Sequence, residues 1–296
     1  MILIENIVYQ NKYIVMNEKM NVYINPLTDF GFKRIFGQEK NKELLIDFLN
    51  EIIGEEQRIA DIDYQPTFQI GGAEDERKAV FDICCKNEKD ENFIVEMQKA
   101  KQAYFVDRSL FYATFPIQNQ APQGSWNFEL KAVYTVAILD FILFDDTANC
   151  IEKIYLTREN TKTKYSDKLN FVFVELPKFK KPLEELVTNF DNWLFCLKNL
   201  SSLNARPMEV QGRIFEILFR TAEIKKLTKT EMETYSKSVL EYDDIRDAMN
   251  HASETAYEKG IEQGILKVAR KLLELKLPVL DIAKATGLTP EQILEL

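Results

Sequence analysis

Histidine is almost missing from this 296-residue sequence: His251 stands alone. One imidazole excludes a Cys2His2 finger, a two-histidine metalloprotease site and a histidine-rich nuclease centre within one chain. A Ser-His-Asp triad would have to rest on His251, which lies in a polar helical stretch between Asp247 and Ser253 and reads as a solvated surface residue. Cysteine is sparse too. Cys84, Cys85, Cys150 and Cys196 show no paired metal-ligand spacing, so they read as reduced packing residues of a cytoplasmic protein. No signal-peptide pattern opens the chain, and the longest apolar run, residues 132–144, is too short for a bilayer and is broken by Asp140. A surplus of positive charge is also lacking. Thirty-eight Lys and Arg face 47 Asp and Glu, a net charge of −9, which argues against coating nucleic acid by long-range attraction but leaves room for a local basic groove.

What is present is core-forming material: 46% hydrophobic residues, enough for one large α/β domain and a smaller helical appendage. Methionines at 1, 16 and 20 leave more than one start open for an N-terminal extension over residues 1–22. A compact aromatic segment follows from Asn25 to Gly37, and then Leu44, Leu45, Phe48, Leu49, Ile52 and Ile53 recur at helical spacing, predicting a helix over residues 40–53 stopped by Gly54. Strand-like runs are expected at residues 59–69, 79–86 and 93–99, the last two joined by the charged turn at residues 87–91. A helix is expected at 103–120, a fully buried strand at 132–141 and another strand at 170–175. Pro177 and Pro182 bracket a basic linker, after which a helical region (183–249) and a helical tail (250–296) are expected. The tail ends in two short helices joined at Gly287, with Thr289, Pro290 and Gln292 as a helix-start signal. The pair is helix-turn-helix-like, but its second helix carries Glu291 and Glu295 and no Lys or Arg, which favours packing or self-association over groove reading.

The chemistry concentrates in two strands. Asp82 shares a strand face with Val80 and Cys84, while Phe81, Ile83 and Cys85 take the other; Glu96 and Gln98 share the face of Ile94. Pairing about a turn centred near Lys89 sets 82 opposite 96 and 80 opposite 98, with directly opposed Cβ atoms about 5 Å apart. Two carboxylates that close, among Phe, Ile, Val, Cys and Met, repel each other and lose hydration, and a divalent cation relieves both costs. Oxygen ligands of this kind suit Mg2+ or Mn2+. The alternative is a pair of surface acids on a half-solvated hairpin.

The order Thr28-Asp29-Phe30-Gly31-Phe32-Lys33, Phe81-Asp82-Ile83, Ile94-Val95-Glu96-Met97-Gln98, then Arg108 and Tyr112, resembles the recombination-promoting nuclease and transposase family, a branch of the PD-(D/E)XK superfamily. The resemblance spans residues 23–182. It implies an α/β fold with a restriction-endonuclease-like core (a helix, a mixed central sheet and flanking helices) followed by an α-helical C-terminal region. It also implies a metal-dependent DNA endonuclease, with Asp82 and Glu96 as metal ligands, Mg2+ or Mn2+ as cofactor, DNA as partner, and Gln98 standing where the superfamily usually has lysine. Glutamine brings no positive charge, although its amide can orient water or a phosphate oxygen. Lys99 and Lys101 fall on the opposite strand parity.

Other residues carry two readings each. Glu43 or Asp47 could give the metal a third carboxylate or lie on a solvated helix face. Asp29 and Lys33, one turn apart, could cap and position their helix or act on substrate. Arg108 and Tyr112 could grip phosphate and stack on a sugar or base, or pair structurally. Residues 178–181 could touch a DNA backbone or form a solvated linker. The competing function is a catalytically degenerate nuclease scaffold that works through partner binding or self-association, including a homo-oligomer formed by the C-terminal helices. A third is DNA recognition by residues 278–296 without cleavage.

Overall fold

The computed structural model describes residues 21–54, 57–66, 81–121, 124 and 126–296. The expected N-terminal start positions, the start of the strand at 79–80 with its Val80–Gln98 pairing, and residues 67–69 lie outside the described residues. Helices α1 (Asp29–Phe36) and α2 (Lys42–Ile53) precede strands β1 (Ile62–Tyr64), β2 (Ile83–Asn87) and β3 (Asn92–Gln98). Helix α3 (Phe105–Gln118) leads to β4 (Val133–Leu139), β5 (Ile151–Tyr155) and β6 (Leu169–Glu175). Helices α4 (Asn189–Asn199), α5 (Arg213–Ala222), α6 (Lys229–Glu274), α7 (Val279–Thr286) and α8 (Pro290–Leu294) complete the chain.

The strands form one mixed sheet in the order β1-β2-β3-β4-β6-β5. β3, β4 and β6 run parallel, and the remaining neighbours are antiparallel. The parallel step from β3 to β4 requires a crossover, and α3 supplies it. The apolar run of β4 is buried at every position, as expected of a strand with parallel neighbours on both sides and helices over both faces. On one face, Ile83, Cys85, Val95 and Val136 join the main core with Phe36, Phe48, Trp193 and Phe215 of α1, α2, α4 and α5. On the other, α3 packs Phe105 against Leu139 and Phe173, and Phe115 against Ile94. Cys84 and Cys85 are both buried and free, and only Cys85 belongs to the main core. β5 was not expected. Its residues IEKIY are half-buried or exposed at the sheet edge, where a strand needs no clean apolar alternation.

Contacts divide the chain into Met1–Tyr242 and Asp243–Leu296, with the division inside α6. α4 and α5 contribute Trp193 and Phe215 to the same core as the sheet. In the second unit, Ala269, Ile282 and Ile293 form a small core of their own. Gly287 ends α7 in the left-handed conformation at φ 74°, and Thr289 with Gln292 closes a capping box on α8. Among the described residues no helix is long and apolar enough to cross a membrane.

Candidate active site

Paired residues in β2 and β3 run from Ile83 with Val95 to Lys86 with Asn92, and one step further in the same register sets Asp82 opposite Glu96. The chain bends at Asp82, just before the ladder begins. There the Asp82 carboxylate replaces a backbone partner: its Oδ2 accepts the Met97 N–H at 2.9 Å. Strand alternation is not enforced ahead of Ile83, and this corrects the expected face of Phe81. Instead of lying with Ile83 and Cys85, Phe81 packs with Ile94 and Phe115, and its ring meets Tyr112 edge-on at 5.1 Å. Phe81 and the Met97 hydrogen bond thus pin the backbone and the side chain of Asp82 separately.

Glu96 comes from the interior of β3 and is 5% exposed. Gln98 Nε2 donates to Glu96 Oε2 at 3.3 Å, and Arg108 Nη2 of α3 donates to Gln98 Oε1 at 2.7 Å. Arg108 Nη1 donates to Gln102 Oε1. A chain of hydrogen bonds therefore runs from Arg108 through Gln98 to the accepting Glu96, with the orientation of the amide fixed by the guanidinium. Burial lifts the Glu96 carboxyl and the nearby charge of Asp82 lifts it further; Arg108 and Gln98 offset part of this, leaving it at about 7. Asp82 is also held above the usual carboxylate range by burial, against the opposing pull of the Met97 N–H and Lys33, with Asp29 pushing it up. Glu96 senses the charge of Asp82, as expected of a side chain opposite it across neighbouring strands.

The first helix brings a cation and an acid to the same place. Lys33 Nζ lies 2.6 Å from Asp29 Oδ1 and 4.0 Å from Asp82 Oδ1. Lys99, just beyond the end of β3, also exerts a positive field on Asp82. Lys101 is directed to the Ile142 carbonyl at 3.5 Å. Arg108 lies over the rings of Phe105 and Tyr112, at 5.3 and 5.8 Å to their centroids. Arg108 and Tyr112 therefore do pair with each other, while Arg108 also reaches Gln98.

Several expected residues are elsewhere. Glu43 pairs with Arg213 at 2.7 Å, and Asp47 accepts from Trp193 Nε1 at 2.6 Å and Asn189 Nδ2 at 3.1 Å. The acidic side of α2 is turned to α4 and α5, so neither of these acids supplies a third carboxylate. The linker reading of residues 178–181 also changes: Lys178 is buried against Glu175, and Lys181 holds Asp191 at 2.7 Å. Glu175, fully buried, accepts the Leu143 and Phe144 N–H groups as well, so it anchors the loop after β4. His251 is exposed on α6. Sequence reasoning missed the acidic influence of Asp29 on Asp82; the only available signal was its i,i+4 spacing from Lys33.

Two carboxylates, one nearly enclosed and reluctant to ionise, are a donor set that a hard divalent cation stabilises. Among the described residues no group of three or more His, Cys, Asp or Glu side chains gathers around a common point. Two carboxylates alone would leave a bound divalent ion most of its coordination positions for water.

Comparison with curated proteins found no match, and comparison with solved structures found none either. The family model of the PD-(D/E)XK nuclease family transposase matches residues 26–252, a span that begins ahead of α1, contains the whole sheet with Asp82, Glu96 and Gln98, and ends within α6. A match over that much of the sequence makes this chain a member of the PD-(D/E)XK nuclease family transposases.

Proposed function

We propose that the chain is a metal-dependent DNA endonuclease, with Asp82 and Glu96 holding Mg2+ or Mn2+ and Gln98 orienting the attacking water. The observation that carries this reading is the convergence of Asp82 and Glu96, one seated on the Met97 N–H and the other buried in β3. A bound divalent ion supplies Lewis-acid stabilisation of the phosphate and lowers the pKa of water. The protein's own part is positional. Asp82 is locked by the Met97 hydrogen bond, and Glu96 would release its proton to solvent on holding the cation. Gln98 is held by Arg108, so its amide nitrogen faces Glu96 and the space where water would be activated. Arg108 and Tyr112 act on Gln98 and on Phe81 rather than on the phosphate.

The test is nicking of supercoiled DNA by purified protein with Mg2+ or Mn2+. Asp82→Asn and Glu96→Gln are each expected to lower the rate by more than about 100-fold, while the melting temperature stays at or above that of the parent. Failure of the parent protein to nick with either ion, in a sample whose melting temperature does not rise on Mn2+ addition, refutes the proposal.

A further inference from the structure

Asp82, Glu96 and Gln98 bring no positive charge, and a divalent ion between the two acids only balances theirs, so an approaching phosphate gains from a further cation. Three cations act on the acids. Arg108 is engaged with Gln98 and Gln102, and it lies over the rings of Phe105 and Tyr112. Lys99 stands beyond the end of β3 and is the weakest of the named influences on Asp82. Lys33 is different: its ammonium is 4.0 Å from Asp82 Oδ1, and its side chain remains 44% exposed. It can meet a ligand without leaving its partner.

The helix beneath it fixes that position. Thr28 is fully buried, accepts the Gly31 N–H at 3.0 Å and donates to the Asn25 carbonyl at 2.8 Å. A Cβ at Gly31 would overlap the Asn25 carbonyl oxygen, so only glycine lets the turn and the helix approach this closely. Phe32, Ile35 and Phe36 bury α1 in the main core, which fixes the helix from which Asp29 and Lys33 leave. Asp29 then holds the ammonium at 2.6 Å.

We infer that Lys33 is the substrate-contacting cation of this site, its ammonium held by Asp29 and donating to a non-bridging oxygen of the DNA phosphate beside Asp82. The inference rests on the nuclease reading for its substrate, and it is tested by binding as well as by turnover. Affinity for a short DNA duplex is measured by fluorescence anisotropy across a KCl series, with Ca2+ replacing Mg2+, for the parent protein, Lys33→Met and Lys33→Arg. Loss of one phosphate contact is expected to reduce the slope of log affinity against log salt by about 0.9 in Lys33→Met, with Lys33→Arg near the parent value. Nicking by Lys33→Met is expected to fall about 100-fold, and adding Gln98→Lys is expected to restore part of it, since a cation then returns from β3. An unchanged salt slope in Lys33→Met overturns the assignment. So does equal loss in Lys33→Met and Lys33→Arg accompanied by a lowered melting temperature, which marks a purely structural residue. Parent protein that binds DNA but never nicks overturns the endonuclease reading while the slope still decides Lys33; parent protein that does not bind overturns both.

Discussion

Glu96 is a carboxyl group placed where the metal-free fold favours its neutral form. Its ionisation is moved from an ordinary 4.5 up to about 7, first by burial and then by Asp82. The folded state therefore holds a proton that the unfolded chain has released, so this stabilisation is complete below 4.5 and is lost as pH rises through about 7. The difference corresponds to a cost on the order of 3 kcal/mol in the ionised, metal-free protein. Glu96→Gln, which mimics the protonated form, is expected to match the parent in urea denaturation at about pH 4 and to exceed its stability at about pH 8 without metal. A less stable variant at the higher pH would contradict the buried-acid description. Metal affinity carries the same signature: it should climb as Glu96 deprotonates and level off above about pH 7. Glu96 and Gln98 were legible as a pair because residue parity sets them on one face of β3, and the turn near Lys89 carries Asp82 to the position opposite Glu96. The helix acids were not. Glu43, Asp47 and Asp29 all sit on helices with plausible spacing, and only the packing of α2 against α4 and α5 decides which of them leave the site.

Among the elements, the hairpin register was the most readable feature, since a turn centred near Lys89 requires the observed pairing of Cys84 with Ile94. The strand boundary was not readable from composition: Phe81 and Asp82 continue the β-like pattern, yet the ladder starts at Ile83. β5 escaped because an edge strand with Glu152 and Lys153 at its centre has no buried face to advertise. α1 gives a direct test of how an element positions chemistry. Gly31→Ala is expected to destabilise the protein by about 1–3 kcal/mol through overlap with the Asn25 carbonyl, and to reduce nicking by displacing Lys33. Gly260→Ala is the control, since nothing approaches that position in the interior of α6. It should be neutral or stabilising by up to about 1 kcal/mol in thermal denaturation. Equal losses in the two variants would show that the tight turn at Asn25 does not set the helix.

At the scale of the whole molecule, an acidic chain is asked to act on a polyanion. The net charge of −9 gives no general attraction, so binding has to come from local cations and from the ion between the acids. The terminal helices add little to this: α8 carries Glu291 and is followed by Glu295, and its buried Ile293 serves the small core with Ala269 and Ile282. Removing residues 278–296 is therefore expected to leave DNA affinity within about threefold in the same anisotropy assay, because sequence-independent affinity follows phosphate-contacting cations. Abolished binding would assign recognition to the tail. The central claim, that Asp82 and Glu96 converge on one cation, is tested most directly by anomalous diffraction from crystals soaked in Mn2+. The expected result is a single strong peak about 2.1 Å from carboxylate oxygens of both residues, absent in Asp82→Asn. A featureless map at that position in well-diffracting parent crystals, or Mn2+ bound only at other acids, would contradict it.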